Sequence, residues 1–267
     1  MDDQQFRQLL DHFGYSWGGY RKVRKGVKKR LRRHMQQLEC RNIDEYLHIL
    51  DRDEEFRKQF ECEMSVSISR FFRDRLLWKI IEDHIVPEIL KANGKTVKFW
   101  SAGCACGEEV YSFKIVWESL RTRFDYLPEL EIWATDLNPE YLKRAKDGVY
   151  PVSSLKEVPE GIKETYFRTA KEGGHRRIAQ SLNKGILWKV HNLLCDLGER
   201  SFQIIFLRNS VFTYYKDELR QSAFQKVIDN LVQGGFLIIG SHEKLPIESK
   251  DLLPFSSQRY IFRKVGR

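Results

Sequence analysis

Six short apolar runs, separated by helix-like segments, constrain this 267-residue chain more than any other feature. They are "VKFWSAG" (97–103), "LEIWATDL" (130–137), "ILWKVHNL" (186–193), "FQIIFLRN" (202–209), "FLIIGS" (236–241) and "RYIFRKV" (259–265). Helical patterns fall between them at about 108–123, 139–147 and 216–232. Apolar strands that alternate with helices predict an α/β fold, a mostly parallel sheet covered on both faces. The irregular stretch 150–185 carries Pro151, Pro159, Gly161 and the pair Gly173–Gly174, and reads as a small insertion.

The first third has a different texture. "RKVRKGVKKRLRRHMQQL" places Val23, Val27, Leu31, Met35 and Leu38 on one helical stripe, with Arg and Lys on the other faces. Asn42, with Glu45 three residues on, has the pattern of a helix start. The expected division is a helical N-terminal domain (1–75), a linker helix (76–96) and an α/β domain (97–267) that contains the insertion. Residues 1–40 hold ten Lys/Arg against four Asp/Glu, so an acidic partner is expected for the basic helix at 21–34. A solvated face is the plainer reading of such a run, and nucleic acid is the rival partner, although no RNA-binding module is visible. The polar start and the lack of any run of about 18 apolar residues give no signal peptide and no membrane span, so a cytoplasmic location is expected. Five scattered cysteines fit reduced thiols.

"FWSAGCACGEEVYSF" (99–113) joins the first strand to a helix through a glycine-bounded turn. Such a turn lets backbone approach a ligand closely at the carboxyl edge of the sheet. Cys104 and Cys106 are read as small residues that fill the turn; no second Cys/His pair is placed to complete a metal site, and none is predicted. Asp136 ends the next strand, where a carboxylate suits ribose hydroxyls. With Glu109 it disfavours a pyrophosphate and suits a cationic, phosphate-free nucleoside such as S-adenosylmethionine.

The ordered segments "SISRFFRD", "WSAGCACGEEVYS", "ATDLNPEYLKRAKDGVY", "ETYF", "NLL", "IFLRN" and "GGFLIIGSHEKL" resemble the CheR-type chemotaxis receptor glutamate methyltransferases. The resemblance implies a Rossmann-like S-adenosylmethionine-dependent methyltransferase domain, an N-terminal all-helical domain and a small β subdomain near 150–185. It implies cofactor contacts at Ser67, Ser69, Arg73, Gly103, Glu109, Asp136, Asn192, Leu193, Arg208 and Asn209, with Glu109 expected to hold the cofactor's methionine end and S-adenosylhomocysteine as product. It places Arg73 close to the transferred methyl and the basic helix against an acidic receptor coiled coil; a monomer is expected. The chain departs from the family at Ser67 and Ser69 (usually Asn and Thr), at Gln203 (usually Asp), and in "GSHE" for "GHSE". In "RNSVFTYY", Thr213 holds the place of a tyrosine and Tyr214 that of a phenylalanine. These departures are expected to cluster around the methyl acceptor, and Arg73, Thr213 and Tyr214 are the expected catalytic set. A carboxylate acceptor needs no base; a hydroxyl or amine would, with His191 and His242 as candidates. The alternatives are the same cofactor chemistry on a small molecule or another acceptor, and a cofactor-binding module without turnover.

Overall fold

The computed structural model describes residues 1–92, 94–170, 173–198 and 200–266. Five helices come first: α1 (Asp3–His12), α2 (Trp17–Tyr20), α3 (Arg24–Gln37), α4 (Ile43–Arg52) and α5 (Glu54–Met64). Asn42 caps α4 by accepting the Glu45 amide at 2.9 Å, and Glu45 reaches back to the Arg41 amide rather than to that of Asn42. Phe6, Leu9, Leu31, Tyr46 and Phe60 build a core of their own for this region. The basic stretch begins as a turn at 21–23 and becomes helical at Arg24. Val27 and Leu31 are buried, Val23, Met35 and Leu38 only partly. Arg24 and Lys28 pair with Asp3, and Arg30 with Glu63, while Arg21, Lys22, Lys25, Lys29, Arg32 and Arg33 stay exposed.

Residues 65–70 run extended before α6 (Arg75–Ile80), which continues through a π-helical turn (Ile81–Ile85) into α7 (Val86–Leu90). Pro87 lacks the amide that a regular helix would use there. The α/β part follows as β1 (Thr96–Ala102), α8 (Glu108–Ser119), β2 (Glu129–Asp136), α9 (Pro139–Asp147), β3 (Val149–Pro151), α10 (Glu160–Tyr166), β4 (Phe167–Thr169), β5 (His175–Ile178), β6 (Ile186–Val190), β7 (Phe202–Leu207), α11 (Val211–Tyr214), α12 (Asp217–Asp229), β8 (Leu231–Ile239), β9 (Leu252–Pro254) and β10 (Ile261–Lys264).

The main sheet has the order β6-β2-β1-β7-β8-β10-β9; its first five strands are parallel and the last two antiparallel. All six expected strands lie in it, in the α/β class read from the sequence. β1 is central, with Trp100 opposite Trp133 of β2 and Ile205 of β7. The chain leaves β1 toward β2 and β6, then returns to the other side of β1 as β7. The resulting crevice lies outside the carboxyl ends of β1 and β7, where open α/β sheets bind ligands. β3, β5 and β4 form a separate antiparallel sheet.

The sequence reading carries the last long helix to residue 232 and starts the next strand at 236. Instead α12 ends at Asp229, where the Asn230 side chain turns back to the Lys226 carbonyl at 2.8 Å, and β8 starts at Leu231. Gly234 and Gly235 sit inside that strand, across from an irregular register between Phe202 and Ile204. β9 was not expected: three residues that end in a proline carry no strand period, and an edge position tolerates the missing amide.

Candidate active site

Gly103 (φ 84°), Ala105 (φ 49°) and Gly107 (φ 85°) turn the chain from β1 into α8. A Cβ on Gly107 would lie 2.9 Å from both Ala145 and the Trp188 ring, so a glycine lets α8 start tight against its neighbours. The Gly103 and Cys104 amides both donate to the Thr135 carbonyl at 2.9 Å. Asp136 takes the Ala105 amide on Oδ2 at 2.8 Å and the Asn138 amide on Oδ1 at 2.9 Å. The carboxylate that ends β2 therefore braces the turn that follows β1. Cys104 and Cys106 are buried in the core. Burial pushes the Cys106 thiol up to about 12, against a hydrogen bond from Ser67.

A buried charged layer stands beside this turn. Glu109 accepts Ser101 Oγ at 2.8 Å and Arg208 Nη1 at 3.2 Å. The other arm of Arg208 grips Asp74, which begins α6 in the left-handed region at φ 63°. Burial raises the Glu109 carboxyl, opposed by Arg208. Burial also raises the Glu108 carboxyl, and Ser69 opposes the rise. Arg73 donates Nη1 to the Ile68 carbonyl at 3.3 Å and, among the described residues, makes no ion pair within 4 Å. Its charge acts on both Glu109 and Tyr214.

The crevice is an open cleft. Of the expected site residues, Gly103, Asp136, Asn192, Leu193, Asn209 and Tyr214 line it. Ser67, Ser69, Arg73, Glu109, Arg208 and Thr213 are not among its lining residues. The helical region contributes a wall that sequence reasoning missed: Tyr15, Tyr20, Glu61 and Met64. They lie far along the chain from the glycine-bounded turn at 103–107, and nothing in their local pattern marks them. His191 lines the cleft, with burial lowering its pKa, whereas His242 is exposed.

Two departures resolve differently from expectation. Gln203 lies near the amino end of β7, where its side-chain Oε1 accepts the Lys98 amide at 2.7 Å. It is thus at the edge opposite the cleft, away from any methyl acceptor. Thr213 Oγ1 donates to Glu243 Oε1 at 2.5 Å, and Glu243 Oε2 accepts the Asn209 and Gly240 amides at 2.9 and 2.7 Å. Glu243 lies in the quoted "GSHE" run, but local sequence gives no sign that it reaches Thr213.

The cleft lining holds the carboxylates of Asp136 and Glu61 and, among the described residues, no Lys or Arg. Those acceptor carboxylates repel phosphate and fit a cationic nucleoside whose hydroxyls donate to them. Residues 67–262 match the family described as "CheR methyltransferase, SAM binding domain". The "Chemotaxis protein methyltransferase" of Listeria innocua is 32% identical over 220 residues, which cover 82% of this chain and 81% of that protein. The "Chemotaxis protein methyltransferase 1" of Pseudomonas aeruginosa is 28% identical over 228 residues, with 82% and 81% covered. With this cleft at the switch point of its sheet, the chain belongs to the CheR methyltransferase family and is an S-adenosylmethionine-dependent methyltransferase.

Proposed function

We propose that the protein O-methylates glutamate side chains of a chemoreceptor-like, acidic helical protein. The observation that carries this reading is Arg73: a half-buried guanidinium beside the cleft, without a carboxylate partner among the described residues, and close to Tyr214. An unpaired cation there suits an anionic acceptor. When bound, S-adenosylmethionine supplies an activated methyl on a sulfonium. Asp136 would hold the ribose hydroxyls, Asn192 and Leu193 the base, and Asn209 and Gly103 the methionine end. Glu109 and Arg208 keep the charged layer behind them in order. Arg73 orients the acceptor carboxylate through a charge-assisted hydrogen bond. That carboxylate is ionised at neutral pH, so no side chain has to remove a proton. Positioning and exclusion of water then supply most of the acceleration. The exposed face of α3, with Lys25, Lys29 and Arg33, and Lys22 in the turn before it, suits an acidic protein surface. The chemotaxis names of the relatives support the same partner class.

The test supplies methyl-labelled cofactor with candidate acceptors and then treats the product with mild base. Release of volatile methanol is the expected result, because a carboxyl ester is base-labile. Label that stays on the acceptor would overturn the glutamate assignment and favour another side chain or a small molecule. Arg73→Ala is expected to lower kcat by about tenfold to a hundredfold while cofactor Kd holds. Unchanged turnover would remove Arg73 from its role.

A further inference from the structure

α11 has four residues and no side-chain cap, too little to fix its own shape. It nevertheless carries Tyr214 to the wall of the cleft. Its entry is unusual, since Asn209 adopts φ 54°, in the left-handed region. Glu243 supplies the restraint. Its own amide closes a tight turn onto the Gly240 carbonyl at 2.9 Å, and this fixes the carboxylate. One oxygen then takes the Asn209 amide at the start of the segment, and the other takes the Thr213 hydroxyl near its end. A threonine hydroxyl has one proton to donate. Here that proton goes to Glu243, so it is not offered to a ligand.

We propose that Glu243 and Thr213 form a positioning pair: the carboxylate ties down both ends of the 209–213 turn and so sets Tyr214 against the acceptor. This deepens the assignment of the acceptor side made above and rests on it. Thr213 thereby changes from an expected catalytic group to a tie, and Tyr214 is the hydroxyl-bearing side chain of α11 that the cleft receives.

Thr213→Val keeps the shape and removes the proton. On whichever acceptor takes the label, kcat is expected to fall about tenfold, the loss of one hydrogen bond to a charged group. Cofactor Kd measured by calorimetry is expected to stay within about twofold, because Asn209 and Asp136 keep their backbone partners. Thr213→Ser restores the hydroxyl and most of the turnover. Glu243→Gln repeats the kcat loss, and the double variant Thr213→Val with Glu243→Gln is no worse than the worse single one, as expected for two halves of one interaction. If Glu243→Gln does not fold, the threonine pair of variants decides alone. Wild-type kcat in Thr213→Val, or failure of serine to rescue, overturns the proposal, as does a Kd that rises in step with the loss of kcat. The chemical class of the labelled product tests the glutamate reading, whereas the ratio of variant to wild-type turnover tests the tie, so the two fail separately.

Discussion

Asp136 Oδ2 holds the amide of Ala105, a residue at φ 49°, and Oδ1 holds that of Asn138, which caps α9. A single carboxylate thus fixes the glycine turn and the next helix, while its remaining lone pairs line the cleft. Asparagine is nearly the same shape, but its amide group would face one of those two backbone donors. Asp136→Asn is therefore expected to weaken cofactor binding by about tenfold to a hundredfold, read by calorimetry. Unchanged affinity would exclude Asp136 from the cofactor site. Burial also raises the Asp136 carboxyl above its usual 3.8. A group whose folded pKa is raised takes up its proton earlier as pH falls. Cofactor affinity should accordingly decline on acidification before an exposed aspartate would titrate, and a titration of Kd against pH checks this.

At the scale of the element, α3 shows what a helical period reveals and what it hides. Its stripe is visible in Val27 and Leu31, both buried. The sequence reading continues that stripe through Met35, yet His34 is the more deeply buried residue. His34 Nδ1 lies 2.7 Å from the Tyr46 hydroxyl on α4, and Nε2 lies 3.4 Å from the Gln59 carbonyl oxygen on α5. Three helices meet at one imidazole, a tertiary fact that no local spacing encodes. Burial lowers its pKa below 6.5, despite opposing pulls from Gln59 and Glu63. The unfolded chain then binds the proton more readily than the folded one, so stability present above about pH 6.5 is lost as pH falls below it. His191 shifts in the same direction. His34→Gln should flatten the fall in Tm between about pH 7.5 and 5.5, and an unchanged slope would assign that fall to other groups. The same division holds in the sheet. Strands buried on both faces read directly as apolar runs. The pairings of Arg208 with Asp74, Thr213 with Glu243 and Gln203 with Lys98 join distant stretches of chain, and became visible only in three dimensions. The edge strand β6 misleads in the other direction, since its apolar Leu187 and Val190 are about half exposed.

At the scale of the whole molecule, the helical region and the α/β region meet as one working surface. Tyr15 and Tyr215 form an antiparallel bridge, the Ser16 amide donates to the Tyr214 carbonyl at 2.8 Å, and the Lys216 amide donates to that of Gly14 at 2.8 Å. Tyr215 packs against both cores, and Tyr214 against Tyr20 at 4.9 Å between ring centroids. The basic face of α3 is therefore only a few residues from the turn that bears Tyr214. Gly19 sits at the closest approach. A Cβ there would lie 2.1 Å from the Thr213 carbonyl oxygen and 3.2 Å from the Tyr214 Cα. Both neighbours are backbone, so neither can swing aside, and α2 would have to back away from α11. Gly19→Ala should cost about 1–3 kcal/mol of stability by overpacking. It should also lower turnover by separating Tyr20 from Tyr214. Gly18→Ala is the matched control: its nearest neighbour would be Ser16 Oγ at 3.5 Å, an ordinary contact. In the same short helix that change should be neutral, or stabilising by up to about 1 kcal/mol, because alanine is the better helix former. Thermal melts and turnover of the two variants, side by side, isolate the contact from the helix propensity. If Gly19→Ala matched Gly18→Ala in both measurements, the helical region would not bear on the active-site turn, and the cleft would be built from the α/β region alone.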